Sequence, residues 1–289
     1  MIKLWLKAFR IKHWIKNFFV LAPFLIGPLL GFNFYLVKVF AGVILFGLVS
    51  SAVYILNDIV DIESDRQHPE KKFRPIAAGQ ISISYAKWAV AGLLLVGLSS
   101  SVFLNLQFAA CLALYLLNNI LYFYYFKEKT VLDVMSIAFG FVLRANAGGV
   151  LIGIEITNWL IVCVFSLSLL LGFGKRRSEI EKLFDQASQV RKVHESYTPA
   201  KIDILLAISA SVTIVAYMLY CIDPVTTRIH NTDNLIFTTP FVIYCIYRYT
   251  LKVQERKERE GPVELLLKDK GFLLAGGLWI LSFVLLVHF

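Results

Sequence analysis

The sequence predicts an all-α protein, a polytopic membrane bundle of nine transmembrane helices with a cytoplasmic N-terminus. Three observations support this. Of 289 residues, 58% are hydrophobic and mean hydropathy is +0.68, whereas a soluble domain is roughly 45–50% apolar. Charged residues make up only 17% and fall in clusters between long apolar runs, the pattern of membrane-spanning helices. Lys and Arg crowd residues 1–16, 66–87, 127–129, 175–201 and 248–270, while the alternate loops hold little beyond Lys38 and Arg228. The positive-inside rule places the crowded loops in the cytoplasm.

The apolar runs cover about 15–32, 36–56, 86–104, 107–126, 131–152, 157–174, 203–221, 234–250 and 271–288. A helix crossing a ~30 Å hydrocarbon core needs roughly 20 residues. In the ninth run, Gly271, Gly276 and Gly277 suit close helix packing. The runs leave no room for a soluble domain, so 1–289 is expected to be one transmembrane domain. Residues 1–17 mix basic and apolar types and lack the h-region of a cleavable signal. Residues 1–13 are expected to form an interfacial helix on the anionic inner leaflet, with Lys3, Lys7 and Arg10 on one face. Long cytoplasmic loops are expected at about 57–85 and 175–202. Positive-inside loops and anionic substrates explain the net charge of +9 better than nucleic acid does. Cys111, Cys163, Cys221 and Cys245 lie in apolar runs without CxxC spacing, which argues against a zinc site or disulfide framework.

The sharpest motif is Asn57-Asp58-Ile59-Val60-Asp61-Ile62-Glu63-Ser64-Asp65, at the inner end of the second span. On a continuing helix, Asn57, Asp61 and Asp65 share a face, joined by Asp58. Stacked carboxylates repel one another, and charge at an apolar boundary is costly, so the face needs cations. Mg²⁺ is typically held by one or two carboxylates plus substrate phosphates. The motif therefore suits Mg²⁺ bridging protein and diphosphate, with Asn57, Asp58, Asp61 and Asp65 as ligands. Lys72 and Arg74 follow, placed to meet the outer oxygens of the same polyphosphate. Pro75 and Gly79 are turn residues that end the segment.

Asn57-Asp58-x-x-Asp61-x-x-x-Asp65 followed by Arg74-Pro75-x-x-x-Gly79 resembles the first motif of the UbiA superfamily of intramembrane prenyltransferases. The resemblance covers the whole chain and implies nine helices around a central cavity. Most members carry a second aspartate-rich motif after the sixth span. Here that place reads Gly172-Phe173-Gly174-Lys175-Arg176-Arg177-Ser178-Glu179, with one carboxylate behind three bases. Such a site should bind more anion directly and less metal. Further cations are Lys16, Lys127 and Arg144. Arg144 sits about 20 Å into the fifth span at ~1.5 Å per residue, where an ionisable residue is a functional candidate; the competing reading pairs it structurally with Asn118 and Asn119. For Lys16 and Lys127, interfacial anchoring is an equal alternative.

Six stretches are similar to the decaprenyl-phosphate phosphoribosyltransferase branch: 14–17, 61–66, 73–79, 143–145, 174–176 and Glu195-Ser196-Tyr197-Thr198. Glu264 to Lys270 is similar to the segment before that branch's last helix. Lys12-His13 departs from its pattern. The resemblance implies transfer of 5-phosphoribose from phosphoribosyl diphosphate to a polyprenyl (decaprenyl-like) phosphate, releasing diphosphate, in cell-envelope biosynthesis. Asp61 and Asp65 would be catalytic through Mg²⁺. Lys175 and Arg176 would bind the ribose 5-phosphate, Glu179 a ribose hydroxyl, and Lys16, Lys127 and Arg144 the lipid phosphate. The alternative is prenyl transfer from a prenyl diphosphate to an aromatic or other acceptor. A transporter or lipid-binding scaffold is the reading from another class, though no repeat supports it. The expected setting is the inner cell membrane, with the site facing the cytoplasm. Membrane lipids are expected partners, nucleic acid is not, and a homo-oligomer is compatible with the sequence.

Overall fold

The computed structural model describes residues 1–26, 32–184, 197–255 and 268–288. Glu195, Ser196 and the 264–267 stretch lie outside the described residues, as do parts of the first expected span and of the 175–202 loop. The described residues form helices and no strands. In order these are α1 (Ile2–Ala8), α2 (Ala22–Ile26), α3 (Phe32–Val60), α4 (Ile62–Gln67), α5 (Ile83–Leu104), α6 (Leu106–Leu121), α7 (Leu132–Ile152), α8 (Asn158–Phe184), α9 (Pro199–Ile222), α10 (Pro224–His230), α11 (Thr239–Gln254) and α12 (Lys270–His288). Short 3₁₀ segments cover Ile11–Val20, Lys71–Phe73 and Asn234–Thr238.

Among the described residues, seven helices are long and apolar enough to cross a membrane. Two expected spans are built differently. The first is a 3₁₀ segment over Ile11–Val20 followed by α2; Pro23 has no N–H for a continuous ladder and sits in the first turn of α2. The eighth is a 3₁₀ turn plus the 16-residue α11, a helix of about 24 Å at ~1.5 Å per residue.

The chain divides into two compact units. The first comprises Met1–Tyr125 and Leu143–Glu155; the second comprises Phe126–Val142 and Ile156–Phe289. In the first unit α3 packs along α5 and against Ile11–Val20. Its core joins Val20, Phe46, Val49, Phe108, Leu112, Tyr115 and Leu143. Glycines permit two close approaches. A Cβ on Gly97 would lie 2.8 Å from Val49 Cγ2, and one on Gly148 would lie 2.1 Å from the Val20 carbonyl oxygen. Backbone cannot yield as a side-chain tip can, so Gly148→Ala is expected to destabilise by ~1–3 kcal/mol, read as a lower melting temperature in detergent.

Caps start the helices where the chain turns. Ser82 Oγ accepts from Tyr85 N, and Asn105 Oδ1 accepts from Phe108 N at the sharp α5–α6 corner. In the second unit α8 packs along α9 over a core of Val134, Leu170, Phe173, Ile202, Leu206 and Tyr249. Thr198 caps α9 with Pro199 in its first turn, and Asp223 caps α10 ahead of Pro224.

Two further expectations change. Helix α8 continues through Phe184, so the first part of the 175–202 loop is helical; Lys175–Glu179 and Arg176–Glu179 pairs at i,i+4 and i,i+3 support that turn. Of the ninth-span glycines, only Gly271 meets a neighbour, with its Cβ position 2.7 Å from Tyr244 Oη; Gly276 and Gly277 face open space. Leu274, Leu278, Leu281 and Leu285 of α12 are likewise exposed, as expected of a helix that meets lipid over most of its surface. The four cysteines are free thiols, Cys111 and Cys221 buried and the others half-buried.

Candidate functional site

Helix α3 ends at Val60. The chain turns at Asp61 (φ −90°, ψ 8°) and re-enters helix as α4. The backbone bonds Asp61 N→Asn57 O (2.9 Å) and Asp65 N→Asp61 O (2.8 Å) keep the i,i+4 spacing through the break. The acidic face therefore survives a discontinuity that its sequence does not announce. Asp58 and Asp65 are 2% and 1% exposed, and Asp61 is 9% exposed. Asn57 is half-buried.

The Arg74 guanidinium ties this face together. Its Nη1 donates to Asp58 Oδ1 at 3.1 Å and to Asp65 Oδ2 at 2.5 Å. The loop that delivers Arg74 is closed by Gly79 in the left-handed region (φ 71°), with the Gln80 and Ile81 amides donating to the Pro75 carbonyl at 2.9 and 3.1 Å. His68 belongs to the same turn. Its Nδ1 accepts from the Glu70 and Lys71 amides at 3.2 and 3.3 Å, and burial, then the charge of Lys71, holds its pKa below the ordinary value. Lys72 is exposed, its ammonium 5.2 Å from the Phe73 ring centroid.

A second cation, missed from the sequence, reaches the motif. Arg10 ion-pairs with Asp58 and lies 4.9 Å from the Tyr54 ring centroid. α1 ends at Ala8 and Arg10 is left-handed (φ 51°, ψ 48°), so the face expected to carry Lys3, Lys7 and Arg10 is broken and Arg10 turns inward. A left-handed residue other than glycine is uncommon, and nothing in the residue order around Arg10 marks it.

Arg144 is 5% exposed. Its Nε donates to Asn17 Oδ1 at 3.0 Å, and its Nη2 donates to Tyr115 Oη at 3.0 Å. The guanidinium also lies 5.2 Å from the Phe46 centroid. Asn17 in turn donates to Ser50 Oγ at 3.4 Å. Asn17 and Tyr115 thus orient Arg144, a role the sequence does not reveal for either; Asn119 donates to the Tyr115 carbonyl at 2.7 Å. Tyr115→Phe should raise the KM for an anionic acceptor several-fold with little change in kcat if Arg144 binds that anion, because the hydrogen bond lost only orients the guanidinium and so transmits a part, about 1 kcal/mol, of the ~1.5–3 kcal/mol of a charge-assisted bond. Lys16, one residue before Asn17, is exposed.

The second unit holds the other predicted cations. Arg176 is 6% exposed. Its Nε donates to Asp133 Oδ2 at 2.8 Å, and its Nη1 donates to Glu179 Oε2 at 2.6 Å. Lys175 lies 3.8 Å from Glu179 Oε1 and is exposed; Lys127 is half-buried. Asp133, fully buried, also accepts from Tyr197 Oη at 2.9 Å, and that oxygen accepts from the Val131 amide at 2.7 Å. Burial pushes the Tyr197 phenol above its ordinary pKa, keeping it a donor. Arg177 is paired to Asp203 at 3.0 Å. Three of the residues expected to meet substrate, Lys175, Arg176 and Glu179, thus already form one ion network anchored on Asp133.

Among the described residues no group of three His, Cys, Asp or Glu is placed to hold a metal ion. The donor chemistry nonetheless fits Mg²⁺. Asp58 and Asp65 already share one cation, Arg74, and Mg²⁺ uses one or two carboxylates, completing its octahedron with water and substrate phosphate.

The helices and this acid–arginine face define an integral, multi-pass, all-α membrane protein. Residues 17–268 match the UbiA prenyltransferase family, and the chain belongs to it. It is 33% identical to a decaprenyl-phosphate phosphoribosyltransferase of Corynebacterium glutamicum, over 98% of this chain and 86% of that protein. It is also 33% identical to one of Mycolicibacterium smegmatis, over 95% and 89%. Its fold is similar to a UbiA homolog from Archaeoglobus fulgidus solved bound to GPP and Mg²⁺, with TM-score 0.72, 18% identity, and coverage of 99% of this chain and 100% of that one.

Proposed function

We propose that this protein is a Mg²⁺-dependent polyprenyl-phosphate phosphoribosyltransferase, moving 5-phosphoribose from phosphoribosyl diphosphate to a decaprenyl-like phosphate at the cytoplasmic face of the inner membrane. The single observation that carries the reading is likeness sustained over nearly the whole of both chains to relatives of that name. The site chemistry agrees. The second aspartate motif of the prenyl transferases is replaced by Lys175-Arg176-Arg177, which suits an added phosphate better than a second metal.

Asp58 and Asp65, with Asn57 and Asp61 beside them on the same face, would hold the Mg²⁺, which supplies charge neutralisation for the departing diphosphate. Arg74, poised on the same carboxylates, and Lys72 bind and orient the diphosphate oxygens. The ribose C1–O bond to diphosphate breaks as an oxygen of the lipid phosphate bonds to C1. That oxygen is already anionic near neutral pH, so no residue need take a proton. Arg144, set by Asn17 and Tyr115, and Lys16 and Lys127 bind the lipid phosphate. Lys175 and Arg176 bind the ribose 5-phosphate, and Glu179 a ribose hydroxyl.

Membranes carrying the protein, given radiolabelled phosphoribosyl diphosphate and decaprenyl phosphate, should move label into the organic phase only with both substrates and a divalent ion. Transfer from a labelled prenyl diphosphate, with none from the sugar donor, would replace this reading by the prenyltransferase one.

A further inference from the structure

The acidic motif has two arginine partners from different parts of the chain. Arg74 comes from the loop after the motif and serves both Asp58 and Asp65. Arg10 comes from the N-terminal segment and serves Asp58. Its placement is held on several sides. Lys7 Nζ donates to the Phe73 carbonyl at 2.9 Å, next to Arg74, and Ser51 Oγ donates to the Phe9 carbonyl at 3.0 Å. Trp14 Nε1 donates to the same Ser51 hydroxyl at 3.1 Å. Arg10 itself is held left-handed, a conformation that costs a non-glycine residue energy and persists only where its surroundings impose it. The N-terminal segment is thereby docked on the motif with one guanidinium aimed at its buried boundary.

Three buried carboxylates, Asp58, Asp61 and Asp65, stand against these two guanidiniums, so the two charges of a divalent ion exceed what the acids leave uncompensated. A divalent ion added alone would leave this buried cluster with excess positive charge, which a low-dielectric site penalises. A divalent ion arriving with diphosphate brings its own compensation, and diphosphate oxygens are the better acceptors for a guanidinium released from a carboxylate.

Resting on the diphosphate-donor reading above, we propose that Arg10 is a donor-binding residue. It serves as the counter-ion of Asp58 until metal and diphosphate enter together, and it then passes from the carboxylate to the diphosphate. Arg10 thereby suppresses metal binding without donor and strengthens it with donor.

The test uses the full chain in nanodiscs, with Mn²⁺ as the probe ion read by electron paramagnetic resonance, with and without inorganic pyrophosphate. For Arg10→Gln, Mn²⁺ alone should bind about tenfold tighter, the scale of one charge-assisted hydrogen bond, and Mn²⁺ with pyrophosphate more weakly than in the parent, so the enhancement by pyrophosphate should shrink by more than about tenfold. Arg10→Lys, which keeps the charge and covers the case that Arg10→Gln does not fold, should shift in the same direction by about threefold. Lys3→Ala removes an exposed cation of the same N-terminal segment and leaves the contacts that place Arg10, so it should leave Mn²⁺ affinity unchanged. Unaltered Mn²⁺ binding in both Arg10 variants, or the same shift in Lys3→Ala, would overturn the proposal. The expected Mn²⁺ shifts without any transfer from phosphoribosyl diphosphate would support the role of Arg10 while removing the sugar donor.

Discussion

Asp65→Asn is expected to lower transfer by roughly three orders of magnitude, or ~4 kcal/mol of transition-state stabilisation, while the protein remains folded. Asn keeps the shape of the side chain, and its carbonyl oxygen can still accept the Arg74 bond now made at 2.5 Å. What disappears is the negative charge, and with it the ability of the Asp58–Asp65 pair to share a divalent ion as it now shares a guanidinium. Stabilising charge on a leaving group in a water-poor site is among the strongest contributions to catalysis. Transfer assays beside thermal melts of the same preparation check this. A folded Asp65→Asn with full activity would remove the metal assignment, and Asp61→Asn provides a second trial of it.

Asp133→Ala should destabilise the protein by about 2–3 kcal/mol, below the ~3–5 kcal/mol of a fully stranded buried charge because Arg176 keeps Glu179. Asp133 is fully buried and accepts from both Arg176 and Tyr197. The same network holds Val131, a β-branched residue at φ 71°, through the hydrogen bond its amide N–H donates to Tyr197 Oη. Removing Asp133 takes away the carboxylate at Arg176 Nε, while the half-exposed Glu179 stays at Nη1. The double variant Asp133→Leu/Arg176→Met, which removes both charges, should recover most of the loss, because apolar replacement of a buried pair is often neutral. Melts in detergent measure the loss and its recovery. Activity of the recovered double variant separates the roles of Arg176: a stable but inactive protein assigns it to substrate as well as to structure.

The helices are legible in the sequence because a bilayer demands long apolar runs, and among the described residues seven of those expected are helices long and apolar enough to cross one. The acid face is legible because i,i+3 and i,i+4 spacings map onto one side of a helix, and the break at Asp61 preserves those spacings. Arg74 is legible from its proximity in sequence. Arg10, Asn17, Tyr115 and Asp133 are not, since each acts on a partner 29 to 127 residues away and nothing local marks such a pairing. The charges after residue 174 suggest a solvated loop, yet Arg176 and Arg177 are buried on a continuing helix against carboxylates.

By itself, then, the amino-acid order determined a membrane-spanning all-α chain, the acidic motif and the basic run Lys175-Arg176-Arg177 after the sixth apolar run. Those properties depend on composition and on spacing within a few turns of helix. Tertiary structure alone decided how each charge is compensated. Burial makes an unpaired charge too costly to keep, and the partner that satisfies it is chosen by which distant segment the fold brings within hydrogen-bond reach.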